Sequence, residues 1–174
     1  TLDRSAAASD VYKRQERHRA RLLLDVVAAV REEVGERLPV SVRLSARDWA
    51  PDGLVPEDVG RVAAWAVQAG ADLVDVSTGG IARPTRREEP GWLLPDAAVV
   101  KAVSGAATAA VGRIDTPALA ESVVADGVAD VVMSAREWLR DPHYGLRAAD
   151  ELGADPALWP VQYERARRRI PPVE

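Results

Sequence analysis

Apolar residues recur along this chain in two alternating rhythms. At Leu22, Leu23, Val26, Val27, Val30 and Val34 they fall three or four apart, so "RARLLLDVVAAVREEVG" (19–35) predicts an amphipathic helix ended by Gly35. After Pro39 comes "VSVRLSA", short and rich in β-branched residues, which predicts a strand. "PEDVGRVAAWAVQAG" (56–70) then opens on Pro56, Glu57 and Asp58, favourable in a helical first turn, and stops at Gly70. The alternation continues with "ADLVDVS" as strand, "PDAAVVKAVSG" as helix, "ATAAVG" as strand, "TPALAESVVADG" as helix and "ADVVMS" as strand, followed by helical turns in "REWLRDPHYGLRAADEL". The strands are close to continuously apolar, as strands covered on both faces are, so the pattern predicts an α/β fold with a buried parallel sheet.

Four strands, each with a following helix, and one further helix in front make half of a TIM (β/α)8 barrel, which needs eight such units and about 250 residues. Such a half fits a chain truncated upstream, and is then expected to be the C-terminal one. An open doubly wound sheet is the competing architecture, but its usual mark, a G-x-G-x-x-G turn after a first strand, is absent: neither "STGG" nor "AVGR" matches it.

Composition changes the picture at the N-terminus. The chain has no Phe, Cys or Asn, and Lys13 and Lys101 are its only lysines against 23 basic residues, a bias that GC-rich codons produce. Yet one of those lysines and one of three tyrosines stand together in "AASDVYKRQ" (7–15). Read back into codons, that stretch looks like a translated library-preparation adapter. Residues 1–15 are therefore expected to be foreign, and residues 16–174 to be the native half barrel, with the natural protein extending further upstream. A native N-terminal arm is the other reading.

The remaining bulk numbers set broad limits. With 174 residues, 47% of them hydrophobic, the chain can bury one ordinary core. A net charge of −4 gives no reason to expect nucleic acid or an acidic membrane surface as partner. The absence of Cys rules out disulfides and thiolate metal sites and agrees with a cytoplasmic protein. No apolar run approaches the roughly 18 residues of a spanning helix.

Five stretches, "SVRLSARDW" (41–49), "GADLVDVSTGG" (70–80), "AAVGRI" (109–114), "ADVVMSAREWLRDP" (129–142) and "PVQYERA" (160–166), resemble in order and spacing the second half of the old yellow enzymes. These are FMN-dependent NADPH dehydrogenases that reduce activated alkenes. The resemblance implies FMN as cofactor, NADPH as reductant, an enone-type substrate and a homodimer or homotetramer. It also implies that Arg43 lies against the N1 and C2-carbonyl edge of the flavin, where a fixed cation stabilises the charge gained on taking up hydride. Read from the residues alone, Arg43 is a charge within an apolar strand, costly unless paired, and a buried carboxylate such as Asp75 is the alternative partner.

The loops after the last two strands carry Gly112-Arg113 and Ala135-Arg136. Phosphate in β/α barrels is often held by the loops after strands 7 and 8 and the start of a short helix. Gly112 allows close backbone approach, and Arg136 offers a guanidinium to an anion. A solvated Arg136 paired with Glu137 or Asp141 is the alternative. Many members of the resembled family have Gly where this chain has Ala135, which still supplies an N–H. The resemblance further implies that Arg165 reaches the neighbouring subunit's active site, with Tyr163 packed at that interface.

Other candidates carry less. Ser77, Thr78, Gly79 and Gly80 form an ordinary turn that could wall the substrate side, and Trp49 and Trp92 sit in loops at the same end. His18 and His143 are read as structural or surface residues, and no metal constellation exists. The basic "QYERARRR" is short and follows an acidic stretch, which argues against nucleic acid. The resemblance places the substrate-holding histidines and the proton-donating tyrosine in the first half of the barrel, so these residues alone are expected to be inactive, with two open sheet edges and a tendency to self-associate. The alternatives are a phosphate-binding β/α-barrel lyase or isomerase, and a non-catalytic half-barrel module.

Overall fold

A computed structural model describes residues 16–79, 81–83, 89–154 and 159–167. Residues 1–15, expected to be foreign, lie outside the described residues, as does Gly80. Four strands, β1 (Ser41–Ser45), β2 (Leu73–Ser77), β3 (Thr108–Ala110) and β4 (Val131–Val132), form one parallel sheet in the order β1-β2-β3-β4. Among the described residues, these helices accompany them: α1 (Arg21–Val34), α2 (Pro56–Gln68), α3 (Leu94–Ser104), α4 (Pro117–Ala125), α5 (Arg136–Arg140) and α6 (Tyr144–Glu151). A doubly wound sheet reverses its strand order at a switch point. This sheet advances in one direction throughout, which is how a barrel wall is built.

Helix starts follow the sequence signals. Pro56 opens α2, and Asp58 accepts the Val55 backbone N–H at 3.1 Å, satisfying a group the first turn leaves without a partner. Thr116 caps α4 by accepting the Leu119 N–H at 3.2 Å. The single run of helical turns anticipated after residue 136 breaks into α5 and α6, because Pro142 cannot continue a helix and pushes Asp141 into extended backbone.

The core lies between the sheet and its helices. Val42, Val74, Val76 and Ala110 point outward from the strands to meet Val59, Ala63 and Ala66 of α2, Ala97 and Val100 of α3, and Val123 of α4. Gly60 lets α2 and α3 come close: a Cβ there would stand 2.6 Å from Val103 Cβ. Helix α1 departs from expectation, since of its apolar face only Val27 is buried, while Leu22, Val26 and Val30 remain exposed. Among the described residues, the outer edges of β1 and β4 have no strand partner.

One device appears twice where the strands begin. The Asp72 carboxylate accepts the Val40 backbone N–H at 2.7 Å and pairs with Arg31 of α1, while the Asp72 N–H returns to the Val40 carbonyl at 2.8 Å. The Asp130 carboxylate likewise accepts the Thr108 N–H at 2.8 Å and the Lys101 ammonium of α3 at 2.9 Å, and its own N–H returns to Thr108 at 2.9 Å. Each aspartate thus closes the gap between two neighbouring strands and ties a helix to it. The backbone N–H first, and the cation second, hold both carboxyls below the usual carboxylate range.

A carboxyl lowered in the folded state contributes stability above its unfolded value near 4, and that contribution is lost as pH falls toward the folded value. Asp130→Asn should therefore lower the thermal midpoint by a few degrees at pH 7, and the gap from the native chain should narrow below about pH 4. Circular dichroism melts across pH 3–7 measure this; a gap independent of pH would refute the charged clamp.

Candidate functional site

The C-terminal ends of the strands open onto one cavity of about 990 Å³, at the upper end of the size usual for small-molecule sites. Arg43, Gly112, Arg113, Ala135 and Arg136 all line it, together with Ser77, Thr78 and Trp92. Residues from four separate strand-to-helix regions thus meet on one surface, because every strand of a parallel sheet ends on the same side.

Arg43 faces this cavity from the middle of β1. Its side chain is 56% exposed. The suspected partner is nevertheless present: Arg43 Nη1 donates to Asp75 Oδ2 at 2.7 Å across the register pair Arg43–Asp75, and Nη2 donates to Ser77 Oγ at 2.8 Å. Pairing with Asp75 and facing the cavity turn out to be compatible.

The loop after β3 turns at Gly112, with φ +124°, and Arg113, with φ +57°. The Gly112 carbonyl accepts the Gly91 N–H at 2.8 Å, tying this loop to the entry of α3. Arg113 lies 3.5 Å from Asp115, a loose ion pair that already occupies part of its charge. Arg136 differs. Both carboxylates that could have neutralised it belong to other arginines, Glu137 to Arg140 and Asp141 to Arg147 at 2.8 Å. Among the described residues, the backbone N–H groups of Gly112, Ala135 and Arg136 meet no backbone acceptor. Among the described residues, four arginines against two carboxylates line the cavity, a positive balance suited to an anion.

The rim above β1 and β2 holds a network that sequence reasoning missed. Asp96, buried in the first turn of α3, receives Arg47 through two bonds at 2.8 and 3.2 Å, which raises the Arg47 pKa further. The Arg47 guanidinium stands 5.2 Å from the Trp49 ring centroid, Trp49 donates its indole N–H to Thr78 Oγ1 at 2.8 Å, and Thr78 donates to the Arg47 carbonyl at 2.9 Å. Trp49 leans on Trp92 with centroids 6.2 Å apart, so the aromatic wall of the cavity is braced from behind. Thr78, which the sequence suggests is an ordinary turn residue, is the joint of this brace.

Other candidates lie elsewhere. His18 lines a separate cavity of about 540 Å³ beside Trp65, and His143 is exposed at the start of α6. Tyr163 and Arg165 are exposed in a 3-10 turn, Val161–Arg167, and do not line the main cavity. Among the described residues no cluster of His, Cys, Asp or Glu could hold a metal ion, and no helix is long and apolar enough to cross a membrane.

Comparison with known proteins gives consistent matches. The model of the NADH:flavin oxidoreductase / NADH oxidase family matches residues 2–155. A curated protein named NADPH dehydrogenase, from Geobacillus sp. (strain WCH70), is 38% identical over 159 residues, covering 91% of this chain and 46% of that protein. The chain therefore spans about half the length of this relative. Among solved structures, a 2-naphthoyl-CoA reductase in complex with 2-naphthoyl-CoA superposes with a TM-score of 0.68 at 28% identity, over 78% of this chain and 21% of its own. The four-stranded unit is part of a TIM-barrel wall, as its sequence pattern predicts.

Gly112 provides a local check on the loop geometry. A Cβ there would sit 2.9 Å from Leu93 Cβ and 3.1 Å from the Leu93 nitrogen, in a backbone region that side chains rarely adopt. Gly112→Ala should cost about 1–3 kcal/mol in urea denaturation, whereas Gly153→Ala, with nothing within 4 Å of its Cβ, should cost less. Equal losses would contradict the close approach.

Proposed function

The chain belongs to the NADH:flavin oxidoreductase / NADH oxidase family, and on that premise we propose that it is the C-terminal, cofactor-holding half of an FMN-dependent NADPH dehydrogenase, an ene-reductase for activated alkenes. The observation that carries this reading is the meeting of Arg43, Gly112, Arg113, Ala135 and Arg136 on one cavity.

The residues fit the group. Arg136, without a carboxylate of its own among the described residues, would hold the phosphate together with the N–H groups of Gly112, Ala135 and Arg136, and Arg113 would add charge. Arg43 would present a fixed cation to the flavin edge, where negative charge builds on reduction. Trp92, braced by Trp49, walls the cavity and excludes water from one side. When bound, FMN supplies the hydride carrier between NADPH and the alkene. In this reading, the groups that hold the substrate carbonyl and donate the proton belong to the other half, so the 174 residues alone turn over little. Tyr163 and Arg165, exposed on the tail, would reach the neighbouring subunit of a homodimer or homotetramer. The partner is then a small molecule rather than nucleic acid or membrane, the compartment is the cytoplasm, and residues 1–15 are foreign to the native protein.

Expression of the full reading frame containing this chain tests the proposal. A yellow protein whose flavin bands bleach on anaerobic addition of NADPH is expected; a colourless product would overturn it. Arg136→Ala should weaken FMN by about tenfold or more, the scale of one charge-assisted hydrogen bond. It should leave the binding of riboflavin, which has no phosphate, nearly unchanged. Equal loss for both ligands would remove Arg136 from the phosphate site.

A further inference from the structure

Asp75 is an unusual residue to find in the middle of a parallel strand. It is 4% exposed, it sits between Val74 and Val76, both fully buried, and its Oδ1 meets no hydrogen-bond partner among the described residues. An acceptor left in that state costs free energy, so its position calls for a cause. Its other oxygen supplies one: Oδ2 holds Arg43 Nη1 at 2.7 Å.

Ser77 completes the arrangement. Residues two apart on a strand share a face, so Asp75 and Ser77 both point from β2 toward β1, and each takes one terminal nitrogen of the same guanidinium. Arg43 is thereby fixed at two points, with its remaining N–H groups left for the cavity it lines. The two anchors differ in kind. Ser77 contributes geometry alone, whereas Asp75 also contributes a negative charge from a site where little water screens it.

We propose that Asp75 is the positioning residue for Arg43 and sets how much of that arginine's positive charge a bound flavin experiences. The assignment rests on the flavin reading of the cavity. An unopposed arginine beside the flavin would favour the reduced, more negative form strongly; a buried carboxylate on its far side offsets part of that preference. Asp75 therefore keeps the bound flavin easier to reoxidise, which is what transfer onward to an acceptor requires, and the catalytic contact itself remains with Arg43.

The test is a redox titration of the full-length flavoprotein, followed by visible absorption against a reference dye. Asp75→Asn keeps an oxygen for Arg43 and removes the charge. It should raise the preference for reduced over oxidised flavin about tenfold, an upward shift of about 30 mV for a two-electron couple. Ser77→Ala should loosen both oxidation states together and leave the potential within a third of that shift. In an Arg43→Gln background, Asp75→Asn should lose most of its effect. Should the asparagine variant fail to fold, Asp75→Ser removes the same charge in a smaller side chain and should shift the potential in the same direction. An unchanged potential with flavin still bound, or an equal shift with and without Arg43, would overturn the role of Asp75 alone. A native protein that takes up no flavin would overturn the cofactor reading, and this assignment with it.

Discussion

Parallel pairing of consecutive strands governs both what holds this chain together and what it presents. Antiparallel neighbours can be joined by a two-residue turn, but parallel neighbours need a crossover long enough to return the chain to the starting side. Each crossover here is a helix that buries its apolar face on the sheet, so the layer of Val42, Val74, Val76 and Val100 is a direct product of the connectivity. The same connectivity sorts the loops. Those entering strands lie at one end, where Asp72 and Asp130 reside, and those leaving them lie at the other, where Gly112, Arg113 and Arg136 gather. Neither end needed its own scaffold.

Much of this was legible because it depends on local pattern. The change of rhythm from helix to strand fixed the order of elements, and the residues following each apolar run were bound to fall at the open end once the strands were parallel. Gly112, Arg113, Ala135 and Arg136 could be singled out on that basis before any contact was known, whereas Arg43 stood out only as a charge within an apolar strand, and its place at the flavin edge was what the family resemblance implied. Contacts between distant positions were not legible. Arg47 and Asp96 are 49 residues apart, Trp49 and Thr78 are 29 apart, and Arg31 and Asp72 are 41 apart. No local pattern selects such partners; register and helix placement do. A signal for one pair existed, since Arg43 and Asp75 each stand third in a five-residue strand, and aligning the strands sets them side by side. Tyr163 and Arg165 are exposed and do not line the cavity in a single chain.

The exposed apolar residues show where the layer stops. Exposed apolar residues occur on most elements, and among them Leu22 and Val26 on α1 and Val131 and Met133 at the β4 side lie near the two edges of the sheet. A helix amphipathic by sequence but buried only at Val27 has a face larger than its described neighbours cover. That agrees with a chain spanning 46% of a longer relative.

The aspartate clamps and the cavity arginines occupy opposite ends of the same short strands. From Asp72 to Ser77 the chain advances five extended residues, about 16 Å, roughly twice the screening length of about 8 Å at physiological ionic strength. Solvent-exposed charges that far apart scarcely sense one another. Arg113 and Arg136, in the loops beyond the strand ends, could therefore be exchanged, and the ligand they suit altered, while the clamps at Asp72 and Asp130 stayed as they were. A barrel wall of this design can acquire a new chemistry without having to relearn its fold.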